Sequence, residues 1–287
     1  MQFFLTGGTG FIGSHFIQKA YCSGHAVRAL CRAGGGTKIP IDTQPTWQTG
    51  ALDDLNPHFL YGCDAVVHLA SHGVSPRKAE WQALYRWNVA ATIHLLQQAK
   101  AAGVKRIVLA GTCAEYGRAA DQYNAIPPTA PLLPTSGYAA SKAAAFMAAT
   151  AFAIEHNMEL AYLRIFSAYG EGQYAANFWP ALRRAAIAGS DFQMTKGEQV
   201  RDYVAVETVA CALVKAAERT DLVAGNPWVR NLGSGQPTTM KTFAEKWWAH
   251  WGAPGKLDVG ALPYRSNEVM RFVPLLIGDE LEEPERS

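Results

Sequence analysis

Three glycines at intervals of three residues, Gly7, Gly10 and Gly13, separate a short apolar run from a helical pattern. The apolar run covers residues 3–6, and the helical pattern covers residues 10–23. Because glycine has no Cβ, such a turn lets backbone amides approach a pyrophosphate, and the helix presents the positive end of its dipole to that charge. The alternative is a tight turn that only packs the helix on the strand. The position between a strand and a helix favours dinucleotide binding.

Beyond this turn, apolar runs of strand length alternate with longer helical patterns. The sequence predicts strands over residues 3–6, 26–31, 46–48, 65–69, 106–110 and 160–165, and helices over 10–23, 80–102 and 136–156. Continuous apolar runs are typical of buried parallel strands. Strand–helix alternation with right-handed crossovers predicts an α/β protein built on a Rossmann-type, doubly wound parallel sheet.

The pattern becomes looser after residue 166. Helical patterns cover residues 178–188, 206–219 and 240–251, and short strands are predicted at 203–204 and 229–232. We expect residues 1–166 to form a dinucleotide-binding domain, with later segments returning to its sheet. Residues 167–287 are expected to form mainly a small C-terminal substrate-binding cap that faces the carboxyl edge of the sheet.

Composition limits the partners and the compartment. The formal net charge of +2 is too small to predict a nucleic-acid or anionic-membrane partner. Five cysteines without a Cys-x-x-Cys pair predict neither a disulfide framework nor a metal site, and they fit a reducing compartment. The N-terminus does not resemble a signal peptide, and the weakly polar run 143–154 is too short to span a bilayer. These features predict a cytoplasmic protein.

The end of the second predicted strand bears on cofactor choice. An acidic residue there binds the ribose hydroxyls of NAD, but this chain has Cys31 followed by Arg32. No carboxylate would repel a 2′-phosphate, and a guanidinium could pair with one. The pattern favours NADP(H) as the cofactor and leaves NAD(H) as the alternative. Arg32 could also be a solvated loop residue.

A Tyr-x-x-x-Lys pair, Tyr138 and Lys142, lies at the start of the predicted helix over 136–156. Residues four apart share one helix face. A tyrosine ordinarily titrates near pH 10, and a neighbouring ammonium would lower its pKa toward neutrality, where it could exchange a proton with a substrate oxygen. Thr112 follows the predicted strand over 106–110, at the sheet edge where α/β proteins bind ligands. Its hydroxyl could bond the same oxygen.

With these motifs in this order, the chain resembles the extended short-chain dehydrogenases/reductases, in particular the NAD-dependent epimerase/dehydratase family that modifies nucleotide sugars. The resemblance covers nearly the whole chain. It extends to the segments 64–70, 163–170, 201–204, 231–235 and 264–270, and to Asn88.

The resemblance implies roles for individual residues. Thr112, Tyr138 and Lys142 correspond to the catalytic positions. The implied cofactor-binding residues are Gly7, Gly10, Phe11, Ile12, Gly13, Arg32, Leu52, Leu69, Ala70, Asn88 and Lys142. The implied substrate-binding residues are Ser167, Arg201, Arg265 and Glu268.

Departures from the family pattern limit the reactions that this chain is expected to catalyse. Dehydratases have Asp-Glu after the hydroxyl residue, whereas this chain has Cys113 and Ala114, so dehydration is not expected. Ser167 replaces a usual Asn. Cys113 has no adjacent His that would make it a nucleophile.

The resemblance therefore implies an NAD(P)-dependent oxidoreductase acting on a nucleotide-diphosphate sugar, and an NADPH-dependent 4-ketosugar reductase is favoured. A nucleotide-sugar 4-epimerase with retained NAD is the alternative, and a non-catalytic dinucleotide-binding sensor is a further one. The resemblance also implies a homodimer formed through the helices over 80–102 and 136–156.

Overall fold

The computed structural model describes residues 1–74, 79–264 and 268–278. In chain order the helices and strands are β1 (Gln2–Thr6), α1 (Phe11–Cys22), β2 (Ala26–Cys31), β3 (Thr46–Thr49), β4 (Ala65–His68), α2 (Trp81–Tyr85), α3 (Ala91–Ala101), β5 (Arg106–Thr112), α4 (Gly137–Glu155), β6 (Glu159–Ile165), β7 (Ser167–Tyr169), α5 (Phe178–Ala188), β8 (Phe192–Met194), β9 (Val200–Ala205), α6 (Val206–Glu218), β10 (Trp228–Leu232), β11 (Pro237–Thr239), α7 (Met240–His250), β12 (Leu257–Val259) and β13 (Arg271–Phe272).

Seven strands form one parallel sheet in the order β10-β6-β5-β4-β1-β2-β3. Side chains that alternate along each strand supply two apolar cores, one on each face. Phe3 and Leu5 of β1 enter the core that α1 and α6 cover, whereas Phe4 enters the core that α3 and α4 cover. The prediction of a doubly wound Rossmann-type sheet is confirmed.

The helix predicted over residues 80–102 is interrupted. Five residues between α2 and α3, Arg86–Ala90, form a π-helical turn. The wider turn contains Asn88, which is buried and bonded to groups outside its own helix. Such turns are rare and frequently mark functional sites. A periodicity of 3.6 residues could not indicate it, because the flanking turns keep the α-helical pattern.

The remaining strands form two small sheets beside the carboxyl edge. β9 lies between β11 and β13 and also pairs with β7, and β12 pairs with β8. An aromatic cluster packs α5 against α7, and its members include Trp179, Trp247 and Trp251. Of the strands in the two small sheets, four have three residues and one has two. Such strands are too short to show the alternation of apolar and polar residues by which a strand is predicted from sequence. The division of the chain at residue 166 remains a prediction, although β10 lies in the large sheet and α6 packs on it.

Candidate functional site

The glycine turn between β1 and α1 is closely packed. Gly7 has a φ of +78°, and a Cβ there would lie 2.5 Å from the Ala70 backbone nitrogen. A Cβ on Gly13 would lie 2.1 Å from the Gly7 carbonyl oxygen. Both positions therefore require glycine, for backbone conformation in one case and for space in the other. The turn holds the start of α1 against the end of β4.

The start of α1 suits an anion. Gly10 is the N-cap and the first turn carries no acidic residue, so Phe11, Ile12 and Gly13 begin the helix with amides that lack intrahelical acceptors. Such a helix end favours phosphate. In the loop after β2, Gly35 lies beside Thr9, because a Cβ on Gly35 would be 3.2 Å from the threonine methyl carbon. The Gly35 N–H donates to the Arg32 carbonyl at 3.0 Å. The exposed Arg32 thus starts a loop that borders the glycine turn.

A buried hydrogen-bonded chain links the glycine turn to the helices on one face. Thr92 donates to the Asn88 carbonyl at 2.8 Å, so its oxygen accepts from His68 Nε2–H at 3.0 Å. His68 Nδ1 then accepts from Thr6 Oγ1–H at 2.6 Å. Burial first, and the charge of Lys142 second, lower the pKa of His68 to about 3, which fits this neutral tautomer. His68 therefore joins β1, β4 and α3 through a neutral ring.

The buried side chain of Asn88 joins the segment after β4 to the start of α4. Its Nδ2 donates to the His72 carbonyl at 3.0 Å and to Ser141 Oγ at 2.9 Å. Its Oδ1 accepts from the His72 amide at 2.7 Å and from the Ser71 hydroxyl at 3.3 Å. Ser141 donates in turn to the Tyr138 carbonyl at 2.8 Å. These bonds fix the first turn of α4 relative to the segment after β4, and a direct contact of Asn88 with a cofactor remains a prediction.

The hydroxyl residue Thr112 ends β5 and caps the short 3₁₀ turn Cys113–Tyr116. Its side chain accepts from the Ala114 amide at 3.3 Å, and its own amide donates to Glu115 at 2.8 Å. This capping box fixes the backbone on which the hydroxyl is carried.

Tyr138 and Lys142 enter the same region from α4. Ser136 caps this helix by accepting from the Ala139 amide at 3.2 Å, which sets Tyr138 in its first turn. The polar side chains of Ser71 and Thr112 lie near enough to lower the pKa of the Tyr138 phenol. Lys142 is 7% exposed and donates to the Ala110 carbonyl of β5 at 2.8 Å. The structure therefore brings Thr112, Tyr138 and Lys142 together at the carboxyl edge of the sheet.

The prediction that the Lys142 ammonium lowers the pKa of Tyr138 below its ordinary value was wrong. The pKa of its phenol lies above the ordinary value, mainly because of burial and also because of the nearby Glu115 carboxylate. The polar side chains of Ser71 and Thr112 oppose the rise but do not reverse it. Burial lowers the pKa of the Lys142 ammonium, and Glu115 opposes that shift. Tyr138 thus keeps its proton at neutral pH.

Sequence reasoning missed a buried ion pair beneath this site. Glu115 is 0% exposed and Arg164 is 1% exposed, and Arg164 Nε donates to Glu115 Oε2 at 2.8 Å. Arg164 also donates to the Tyr116 hydroxyl at 3.2 Å and to the Pro128 carbonyl at 2.9 Å. The arginine within the apolar run of β6 was the available signal, because a charged side chain is almost never fully buried without a partner.

Two predicted substrate-binding residues meet beside the small sheet that contains β9. Arg201 of β9 donates to Glu268 at 2.9 Å and to the Val269 carbonyl at 2.7 Å. Burial raises the pKa of the Cys113 thiol to about 12, and the positive charge of Arg201 opposes this rise. Arg201 therefore lies beside the carboxyl end of β5, and Cys113 keeps its proton rather than forming a nucleophilic thiolate.

The other predicted residues are spread along the same edge. Ser167 begins β7 opposite Tyr203 of β9. Leu69 donates its amide to the Thr6 carbonyl at 3.1 Å, and the Ala70 amide donates to the Thr6 hydroxyl at 3.3 Å. Leu52 is buried in a 3₁₀ turn after β3. Arg265 lies outside the described residues.

Two absences apply to the described part of the chain alone. Its helices include none long and apolar enough to cross a membrane. A search of the same residues finds no group of three or more His, Cys, Asp or Glu side chains that could hold a metal ion.

Several characterised proteins are similar to this chain. UDP-glucose 4-epimerase of Corynebacterium glutamicum is 28% identical over 266 residues, which cover 85% of this chain and 79% of that protein. A putative dihydroflavonol 4-reductase of Synechocystis is 38% identical over 120 residues, 40% of this chain and 34% of that protein. The solved structure of MoeE5 in complex with UDP-glucose and NAD is 28% identical with a TM-score of 0.79, covering 96% of this chain and 90% of that one.

The family comparison extends from the first strand to the last strand of the large sheet. The NAD dependent epimerase/dehydratase family matches residues 3–233, which include the glycine turn, Thr112, the Tyr-x-x-x-Lys pair and Arg201. A match over that much of the chain, on a seven-stranded parallel sheet whose edge gathers these residues, places the protein in the NAD dependent epimerase/dehydratase family.

Proposed function

We propose that this protein is an NADPH-dependent reductase of the 4-keto group of a nucleotide-diphosphate sugar. The observation that carries the proposal is the gathering of Thr112, Tyr138 and Lys142 where β5 ends beside the first turn of α4, with Lys142 bonded to the Ala110 carbonyl and with burial keeping the Tyr138 phenol protonated. Reduction of a ketone needs a proton donor at the carbonyl oxygen, and a phenol that retains its proton suits that step.

In the proposed reaction, bound NADPH supplies the hydride. Tyr138 donates its proton to the carbonyl oxygen, and the Thr112 hydroxyl orients that oxygen by a second hydrogen bond. Lys142 would hold the cofactor ribose and would stabilise the phenolate that remains on Tyr138 after the transfer. The glycine turn and the first turn of α1 would hold the pyrophosphate, because the turn has no Cβ at its closest approaches and the helix end offers amides.

The cap is proposed to bind the sugar nucleotide. Arg201 is a fork-shaped donor that suits a diphosphate, and one of its terminal nitrogens donates to the Glu268 carboxylate in the structure. A diphosphate would therefore compete with Glu268 for Arg201. Ser167 and Arg265 are proposed as further substrate contacts on the same side.

A 4-epimerase is the second candidate, and the relatives favour it. The similar proteins of Corynebacterium glutamicum and Lacticaseibacillus casei are named UDP-glucose 4-epimerases, each 28% identical to this chain. An epimerase would use Tyr138 first as a base and then as an acid, with NAD retained. A dinucleotide sensor would need neither step.

Turnover on purified protein distinguishes these candidates. NADPH and NADH are titrated first, and a panel of nucleotide-diphosphate sugars that includes 4-keto-6-deoxy forms is then added while reduced nicotinamide is followed by absorbance. Stoichiometric oxidation of NADPH by one ketosugar supports the reductase. Interconversion of two sugar epimers without net oxidation supports the epimerase. Dinucleotide binding with neither activity contradicts both.

Replacing Arg32 by Ala tests the cofactor preference. We expect NADPH to bind about 10- to 100-fold more weakly, because a charge-assisted hydrogen bond contributes about 1.5–3 kcal/mol. Binding of NADH should stay unchanged, since NADH lacks the 2′-phosphate. Calorimetric titration of both cofactors measures the ratio. Equal losses for both cofactors, or no loss for NADPH, would contradict the assignment.

We further infer that the protein forms a homodimer through the helical stretch over 80–102, which contains α2 and α3, and through α4. Trp81, Met147 and Ile154 are large apolar side chains that are each at least 55% exposed on these helices. A lysine in place of Met147 would bury an unpaired charge in that interface, and we expect the dimer dissociation constant to rise about 30-fold or more. Sedimentation equilibrium measures this. Ile187→Lys, at a site 67% exposed on α5, is the control and should leave the dimer intact. Equal behaviour of the two variants would exclude this face.

A further inference from the structure

The carboxylate of Glu115 lies directly beneath the catalytic strand end. It accepts hydrogen bonds from the Thr112 amide at 2.8 Å, from the Tyr162 hydroxyl at 2.7 Å and from Arg164 Nε at 2.8 Å. These donors come from the turn itself and from the neighbouring strand β6. The carboxylate thus joins the last residue of β5 to β6 at the point where the site begins.

The backbone of β5 is adapted to this carboxylate. A Cβ on Gly111 would lie 2.3 Å from the Tyr162 ring and 2.9 Å from Glu115 Oε1. Because residue 111 has no side chain, the tyrosine ring and the carboxylate can lie against the strand immediately before Thr112. Their close approach is therefore built into the strand that carries the hydroxyl.

Arg164 holds the carboxylate in one orientation and connects it to α4. The Arg164 guanidinium lies 4.3 Å from the ring centre of Phe146, which is on α4, and 4.9 Å from the ring centre of Tyr116. It is buried and bonded on several sides, so neither partner of the pair can change rotamer without leaving a buried group unsatisfied. The carboxylate is therefore held in a fixed position, and its positive counter-charge lies on β6.

We propose that Glu115 is a positioning residue for the reaction: its carboxylate holds the Thr112 backbone and places a fixed negative charge beside the Tyr138 phenol and the Lys142 ammonium. This proposal rests on the proposed function, in which Tyr138 donates a proton. A nearby negative charge opposes loss of that proton, so Glu115 favours the donating, reductive role of Tyr138.

The charged and titratable groups around Tyr138 come from several elements. Glu115 and Cys113 lie on the turn after β5, Lys142 lies on α4, and Arg201 of the cap reaches Cys113. The geometry brings the carboxylate close to Lys142, because Lys142 donates to the Ala110 carbonyl at 2.8 Å and a Cβ on the next residue, Gly111, would lie 2.9 Å from Glu115 Oε1. The directions of the pKa shifts agree with this placement: Glu115 raises the pKa of Tyr138 and also raises the pKa of Lys142 against the effect of burial.

The test compares Glu115→Gln with Glu159→Gln. Arg106 begins β5 and Glu159 begins β6, and the two form an ion pair at 2.8 Å. This pair lies at the end of the strands that is opposite to the site, so Glu159→Gln removes a carboxylate between β5 and β6 away from the site. The first readout needs no substrate: lysine side chains are labelled with ¹³C, and the Lys142 signal, assigned with Lys142→Arg, is titrated by NMR. We expect Lys142 to titrate at lower pH in Glu115→Gln and at the wild-type pH in Glu159→Gln.

The second readout is kinetic. We expect Glu115→Gln to lower kcat about 100-fold, as small displacements of reacting groups do, with KM and dinucleotide Kd retained. The basic limb of its pH profile should move to lower pH, because Tyr138 and Lys142 lose protons more readily without the carboxylate. If Glu115→Gln does not fold, Glu115→Gln combined with Arg164→Met removes both charges and is expected to give the same shifts.

Unchanged Lys142 titration and kcat in a folded Glu115 variant would overturn the inference. A merely structural role would lower the melting temperature but leave the titration and the pH profile where they are in Glu159→Gln. Failure of the proposed function is separate: in that case no ketosugar of the panel would oxidise NADPH in the wild-type protein, while the Lys142 titration would still report whether Glu115 acts on the site.

Discussion

Replacing Tyr138 by Phe is expected to lower kcat about 10³-fold while dinucleotide binding remains within a factor of about two. Proton transfer by a positioned side chain contributes about 10²- to 10⁴-fold to rate, and Phe removes only the oxygen that carries the proton. The aromatic ring still fills the start of α4. Stopped-flow oxidation of NADPH with the ketosugar measures the rate, and calorimetry measures cofactor binding.

Two further variants complete the comparison. Tyr61→Phe makes the same change at a tyrosine that is 48% exposed, and it should leave kcat unchanged. Thr112→Val should give a smaller loss than Tyr138→Phe, because the threonine orients the oxygen without supplying the proton. A Tyr138→Phe enzyme with more than about a tenth of wild-type kcat would assign the proton donor to another group, since a catalytic acid contributes more than that.

Local signals were sufficient for the large sheet. The strands predicted over 26–31 and 106–110 are β2 and the first five residues of β5. Apart from Arg28 and Arg106 both runs are apolar, because parallel strands are covered on both faces. The glycine turn was also predictable, since the need for missing Cβ atoms at Gly7 and Gly13 is a property of a short segment.

Features that depend on distant residues were not predictable in the same way. Glu115 and Arg164 are 49 residues apart, and pairing of β5 with β6 brings them together. The direction of the Tyr138 shift was missed for a related reason. The Tyr-x-x-x-Lys spacing gave the ammonium but not the burial or the Glu115 carboxylate, and these decide the pKa. The ammonium itself is held by the Ala110 carbonyl.

Replacing Gly13 by Ala is expected to weaken dinucleotide binding at least about 100-fold and to lower the free energy of unfolding by about 1–3 kcal/mol. The new Cβ would lie 2.1 Å from the Gly7 oxygen and 2.8 Å from the Gly8 Cα. These are backbone atoms, so the contact cannot be relieved by rotating a side chain. The turn must open, which separates α1 from β1 and moves the amides that would face the pyrophosphate.

Gly36→Ala is the matched control for this change. It adds the same methyl group in the loop after β2, where a Cβ meets no atom within 4 Å. Its stability and cofactor affinity should equal those of the wild type. Urea unfolding gives the first quantity and calorimetric titration gives the second. If Gly13→Ala bound the dinucleotide as tightly as Gly36→Ala does, the turn would not be the pyrophosphate site, because any opening of it displaces the first turn of α1.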